Sequence, residues 1–293
     1  MSFDDFVVPE LLPPSEDGVF RTLLTHPDAE PVLRDVIESF LRFPVTRVEV
    51  RNVELPISDI NEKRERFDVN CSIDDGSQAE VEMQSQAMKG DNQRIDHKII
   101  KSRSIYNLCD LHSGQAGRGI RFDKLLKSYQ ITFCGYSIFQ GNENFINRFS
   151  FRDEKGEELS DAVGIVFVEL SKLSDIIKKT VEDMTNEEQW SIFFAYGGEQ
   201  EYTELINGLC DARSEINMAR ELLSTISRDE NERARFRSRR LLQMDINHDR
   251  AVTRDEALEE VARKMLSNGE SIEKVVLYTG LSQKEVEALR GTQ

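Results

Sequence analysis

The segment RFDVNCSIDDGSQAEVEMQ, Arg66 to Gln84, alternates apolar and polar residues with period two on either side of Asp74-Asp75-Gly76. A short loop ending in glycine closes a β-hairpin, because glycine takes the left-handed conformation such a turn needs. With a three-residue loop, residues whose numbers sum to 150 stand opposite one another. Phe67, Val69, Cys71 and Ile73 then share one face with Ala79, Val81 and Met83, which is the predicted core. The other face pairs Arg66 with Gln84, Asn70 with Glu80, and Asp68 with Glu82. Like charges directly opposed destabilise a ladder, so this face calls for a compensating cation. Mg²⁺ is the simplest, since it binds through one or two carboxylates plus waters and phosphate oxygens, and strands hold such ligands rigidly.

The rest of the chain supplies helices for both ends of that hairpin. Residues 1 to 15 contain Pro9, Pro13 and Pro14 and read as an irregular arm, with Ser15 as a cap for a helix carrying Val19, Phe20, Leu23 and Leu24. Ala29 to Phe43 has helical spacing ended by Pro44, and Val45 to Leu55 is β-rich. A basic connector with Lys63, Arg64 and Arg66 precedes the hairpin. After it, Asp91 to His112 reads as a long helix with an apolar stripe of Ile95, Ile99, Tyr106 and Cys109. Arg94, Lys98 and Lys101 line an adjacent face, suited to phosphate contacts and equally to a solvated surface. Tyr129 to Phe139 and Ala162 to Leu170 read as further strands separated by an excursion from Gly141 to Ser160.

Beyond Ser174 the pattern is helical, with Trp190, Phe193 and Phe194 as packing residues and a basic cluster of Arg233, Arg235, Arg237, Arg239 and Arg240. Asp245 to Glu256 places oxygen ligands with calcium-loop spacing, although Arg250 stands where that loop needs glycine and Thr253 with Glu256 forms a capping box. The last forty residues read as three short helices: Thr253 to Ser267, Ser271 to Tyr278 and Ser282 to Arg290. Glu285 and Glu287 on the last favour a packing or self-association module over a helix-turn-helix reader. The expected domains are 1–173, 174–250 and 251–293.

Composition constrains partners. With 38 Lys and Arg against 54 Asp and Glu the formal charge is −16, which opposes non-specific attraction to nucleic acid outside a locally basic channel. Four dispersed cysteines, Cys71, Cys109, Cys134 and Cys210, suggest neither a zinc ribbon nor a disulfide framework. No apolar run is long enough to span a bilayer and the N-terminus MSFDDF is acidic, so a cytoplasmic protein is expected.

An aspartate on one strand, a tight turn, and Glu82-Met83-Gln84 on the next resemble the D…ExK core of PD-(D/E)XK nucleases, with Gln in the Lys position. The E-x-Q ending, together with SEDGVFRTLL, VIESFLRFPVTRVEVRNVEL, VGIVFVELSKL and ARKMLSNGESIEKVVLYTGLSQKEVEAL, is similar to the recombination-promoting nuclease and transposase branch. That resemblance implies an α/β, restriction-endonuclease-like mixed sheet flanked by helices, with an all-helical C-terminal region. It also implies a Mg²⁺- or Mn²⁺-dependent DNA endonuclease, in which Asp68, Glu82 and the Met83 carbonyl hold the metal. Gln84 would orient the attacking water, Lys98 or Arg94 would supply the charge an amide lacks, and Asp17 matches an acidic residue near the metal. The −16 charge and the Gln leave a second reading open, a nuclease-derived interaction protein without catalysis.

Overall fold

The computed structural model describes residues 8–51, 69–74, 76–85, 97–116 and 121–290, with the backbone alone at Arg250. Six strands form one mixed sheet: β1 (Val48–Val50), β2 (Val69–Ile73), β3 (Ser77–Gln84), β4 (Ser128–Cys134), β5 (Ile146–Arg152) and β6 (Glu158–Glu169), in the order β1-β2-β3-β4-β6-β5. Strands β3, β4 and β6 run parallel, and β1, β2 and β5 pair antiparallel with their neighbours.

The β2–β3 register is the one the loop length dictates. Val69 faces Val81, Asn70 faces Glu80 and Ile73 faces Ser77. Gly76 closes the turn at φ 91°, and a Cβ there would come within 2.9 Å of Leu126 Cδ1. The Asp74 carboxylate accepts from Thr46 N, Thr46 Oγ1 and Arg47 N, which ties the turn to the start of β1. Those hydrogen bonds, the one from the Thr46 hydroxyl foremost, hold its pKa below the usual carboxylate range.

One face of the sheet is apolar. Helices α1 (Asp17–Leu24), α2 (Glu30–Leu41), α4 (Asn186–Tyr196), α5 (Thr203–Ala212) and α6 (Ser214–Arg228) belong to the unit that contains the sheet and ends at Arg233. Phe133 of β4 is the hub, with ring centroids 5.5 Å from Phe20, 4.9 Å from Phe40 and 5.0 Å from Phe194. Trp190 Nε1 donates to Asp35 at 2.7 Å, and Arg213 grips the same carboxylate, so the buried indole keeps its polar end satisfied. Arg233, expected in a basic cluster, donates to the carbonyls of Val8, Pro9 and Glu10 and so pins the N-terminal arm.

Helix α3 (His97–Ser113) lies over the other face, on β3, β4 and β6. Its buried residues are Ile100, Ser104 and Leu108. The expected stripe is therefore wrong: Ile99 is 38% exposed, Tyr106 65% exposed and Cys109 exposed, while Ile95 lies outside the described residues. The inner surface of this helix is partly polar, because it meets polar residues of the strands, so a hydrophobic pattern points away from it.

The excursion between the expected strands contains β5, paired antiparallel to β6. The second unit, beginning at Ala234, holds most of α7 (Glu230–Ser267) followed by α8 (Ile272–Thr279) and α9 (Gln283–Arg290) around a small core of Ala262, Val275 and Val286. Ser271 caps α8, Gly280 ends it in the left-handed conformation, and Ser282 with Glu285 forms the expected capping box. No helix among the described residues is long and apolar enough to cross a membrane.

Candidate active site

Because β3 alternates, the residues between Ala79, Val81 and Met83 point toward α3. The β3–β4 register puts Glu80 beside Gln130, Glu82 beside Thr132 and Gln84 beside Cys134, and Cys134 in turn stands beside Glu169 of β6. A polar seam thus runs up the sheet to the C-terminal ends of its parallel strands, the end at which open α/β sheets place their sites.

Glu82 is 1% exposed, so its carboxylate is costly to ionise without a partner. The partner is Arg103 of α3, whose Nη2 contacts Glu82 Oε1 and whose Nη1 donates to Gln84 Oε1 at 3.2 Å. One turn further along the helix, Asn107 Nδ2 donates to Glu80 Oε1 at 3.1 Å. The four-residue step from Arg103 to Asn107 matches the two-residue step from Glu82 to Glu80, so α3 runs antiparallel to β3. Gln130 and Thr132 are fully buried, and their side-chain polar atoms have no hydrogen-bond partner among the described residues.

Asp17 reaches the same end of the sheet from the first turn of α1, where Oδ1 accepts from Ser85 N at 2.8 Å. Burial pushes its carboxyl above the ordinary value, against the opposing pull of the Ser85 hydrogen bond. Gly135 permits the close passage of the two strand ends here: a Cβ would fall 2.6 Å from Ser85 O. Burial also holds the Cys134 thiol well above its usual range, with the Glu82, Glu169 and Asp17 carboxylates adding to the effect and Arg103 opposing it. These charges accordingly surround one strand end. Glu169 is engaged structurally, accepting from Ile138 N, Phe139 N, Ser137 Oγ, Asn147 Nδ2 and Lys172 Nζ, which folds the 137–147 segment against β6.

The structure therefore gathers Glu82, Gln84 and Asp17 at one end of β3. Met83 turns its side chain into the apolar core, so only its backbone carbonyl oxygen could serve as a ligand. Asp68 and Arg94 lie outside the described residues. Lys98 is exposed, and Lys101 sits with Nζ 4.4 Å from the Phe139 ring centroid, on the flank of α3 away from Arg103. Arg103, which the sequence did not single out, is a counter-ion of Glu82. Arg103 and Asn107 escaped sequence reading because a charged or polar helix residue is by default a solvated one. Their spacing of four in KSRSIYN was the available signal.

Neither the calcium-loop spacing at Asp245 to Glu256 nor the competing capping box is realised. Helix α7 runs unbroken through 245–256, Thr253 Oγ1 donates back to Asp249 O at 2.9 Å instead of capping a new helix, and alternate residues of a helix cannot converge on one ion.

A mixed sheet with a hairpin leading into a parallel β3–α3–β4 crossover, and E-x-Q at the end of its central strand, defines a nuclease-like α/β core. Residues 14–252 match the family described as PD-(D/E)XK nuclease family transposase, and residues 255–291 match the Rpn/YhgA-like nuclease family, C-terminal HTH domain. The chain belongs to the PD-(D/E)XK nuclease family transposases. The second match replaces the packing-module reading of the last forty residues with a helix-turn-helix. Glu285 folds back onto Ser282 N and Glu287 accepts from Gln283, so both carboxylates are held along their own helix. No curated protein and no solved structure matches the chain.

Proposed function

We propose that the chain is a divalent-metal-dependent DNA endonuclease that hydrolyses phosphodiester bonds at the C-terminal end of β3. The observation that carries this reading is the convergence of Glu82 Oε1 and Gln84 Oε1 on one cation, the Arg103 guanidinium. Both are hard oxygen donors, the type Mg²⁺ and Mn²⁺ take, and the guanidinium shows that the pair can be satisfied by positive charge. Among the described residues no cluster of three or more His, Cys, Asp or Glu side chains could hold a metal, so the reading requires Asp68 beside Glu82. Glu82, Asp68 and the Met83 carbonyl would hold the ion, and a cation bound there supplies Lewis acidity at the scissile phosphate. Gln84 orients the attacking water through its amide, and Asp17 adds negative charge at the strand end. Lys98 and Lys101 present cations on α3 for the DNA backbone, with Arg94 in the same role. The helix-turn-helix unit provides further DNA contact through α9, whose Lys284 and Arg290 are exposed.

Purified protein should nick supercoiled plasmid with Mg²⁺ or Mn²⁺. Glu82→Ala should lose more than about 100-fold, since even substitutions behind the metal ligands cost about 10–100-fold. Undiminished cleavage by Glu82→Ala overturns the site. The second reading, an interaction protein without catalysis, is favoured by Gln84 and by the −16 charge. Calorimetry showing no Mn²⁺ binding dependent on Glu82 would select it.

A further inference from the structure

The geometry points to Arg103 as a cation placeholder that a divalent metal must displace from Glu82, and whose released charge then serves the phosphate. This inference rests on the nuclease reading of the same site. Its first support is the burial asymmetry of the pair: the Glu82 side chain is 1% exposed and that of Arg103 24% exposed. The carboxylate is fixed in the sheet, whereas the guanidinium has an open side and a long stem along which to leave. Its second support is the acceptor pattern. Arg103 spans residues 82 and 84, two positions apart on one strand, so the fork occupies the Gln84 amide oxygen and one carboxylate oxygen of Glu82. An inner-sphere ion at Glu82 Oε1 and a guanidinium on the same oxygen would bring like charges into contact, so the two compete for that oxygen.

The third support is the chemistry of position 84. An amide carries neither a proton nor a charge into the reaction, so a site built on Gln84 has to draw its fixed positive charge from elsewhere. On α3, Lys98 is exposed and Lys101 lies over Phe139, while Arg103 already touches both motif side chains. Displacement by a short arc leaves it beside the strand end where the phosphate would lie. Thr132, next to Glu82 in the ladder, and Gln130 next to Glu80 give the seam buried polar groups that the resting ion pair does not use. In the metal-free protein Arg103 thereby gives the buried Glu82 carboxylate a counter-charge.

The test uses the full chain, MnCl₂ titration by calorimetry, metal-free thermal melts and plasmid nicking. Arg103→Gln should bind Mn²⁺ about tenfold more tightly than wild type, because a competing unit charge next to the ion is gone. It should also melt lower without metal and cleave more slowly at saturating Mn²⁺. Tighter binding with slower cleavage is a combination that a merely structural role does not produce. Arg103→Lys keeps the charge and should bind Mn²⁺ close to wild type, which serves if the Gln variant fails to fold. The placeholder inference falls, with the nuclease reading intact, if wild type binds Mn²⁺ through Glu82 but Arg103→Gln binds no more tightly, or if the Lys variant binds as tightly as the Gln variant. If neither wild type nor Arg103→Gln binds Mn²⁺, the nuclease reading falls and the inference with it.

Discussion

The two faces of the sheet are built from alternate residues of the same strands, yet they follow opposite rules. On β4, Ile131 and Phe133 turn to one side, where Phe133 meets three other rings and no polar side chain is needed. Gln130 and Thr132 turn to the other side and are just as buried. The first face is packed for stability, and aromatic pairs of this geometry contribute beyond their buried area. The second carries Glu80, Glu82 and Gln84 under α3, an arrangement that costs desolvation wherever its hydrogen bonds are incomplete. Departures from local consistency of this kind are expected where function is lodged. The difference sets a face packed for stability against the face that carries the proposed site.

The comparison breaks most readily at Phe133. Phe133→Ala should cost about 3–5 kcal/mol, as for other fully buried aromatics, and lower Tm by about 10 °C in a unit of this size. The loss should be the same with and without Mn²⁺, because this face has no part in the ion site. A cost within about 0.5 kcal/mol, the range of surface substitutions, would show that the aromatic hub is not the source of stability.

How much of this was legible depended on whether period and burial agreed. The hairpin was readable to the residue because its alternation and its turn glycine each imply the same register. Glu82 and Gln84 followed from it. Strand β5 was not readable, since INRFSFR lies at the sheet edge with Phe149 and Phe151 exposed, and an edge strand need not alternate cleanly. The face of α3 was misread because the buried face carries Ser104, Arg103 and Asn107 among its apolar residues, so the strongest apolar periodicity lay outside. The continuity of α7 was hidden by Asp245, Asn247 and Asp249, residues that usually punctuate helices but here sit within one. Arg103 lacked any signal except its spacing to Asn107, because the carboxylate it serves is on another element.

Thr132 sharpens the comparison at a smaller scale. Its hydroxyl is buried with no partner among the described residues, whereas its neighbour Glu82 is held by Arg103. Thr132→Val keeps the shape and removes an uncompensated polar atom, so the metal-free protein should be unchanged or more stable by about 1 kcal/mol. Denaturant melts read this directly. A loss of more than about 1 kcal/mol would mean that the hydroxyl is satisfied in solution, and the seam would then be a completed polar network.

The smallest effect belongs to Asp17, where the two faces meet at the end of β3. Its carboxyl is raised above the ordinary value of 3.8 by burial, so the folded chain holds that proton more tightly than the unfolded chain. Stability contributed at this position is present below about 3.8, declines as pH rises through the raised folded value, and is fully lost above it. Asp17→Asn retains an oxygen to accept from Ser85 N and carries no charge. It should therefore melt slightly higher than wild type at pH 7, by about 2 °C, with the gap closing as pH falls toward 4. Mn²⁺ bound at the proposed site should reverse the order, because a cation near the end of β3 favours the charged wild-type carboxylate. A gap that stays constant across that pH range would place the effect in packing, and a gap untouched by Mn²⁺ would remove Asp17 from the ion's surroundings.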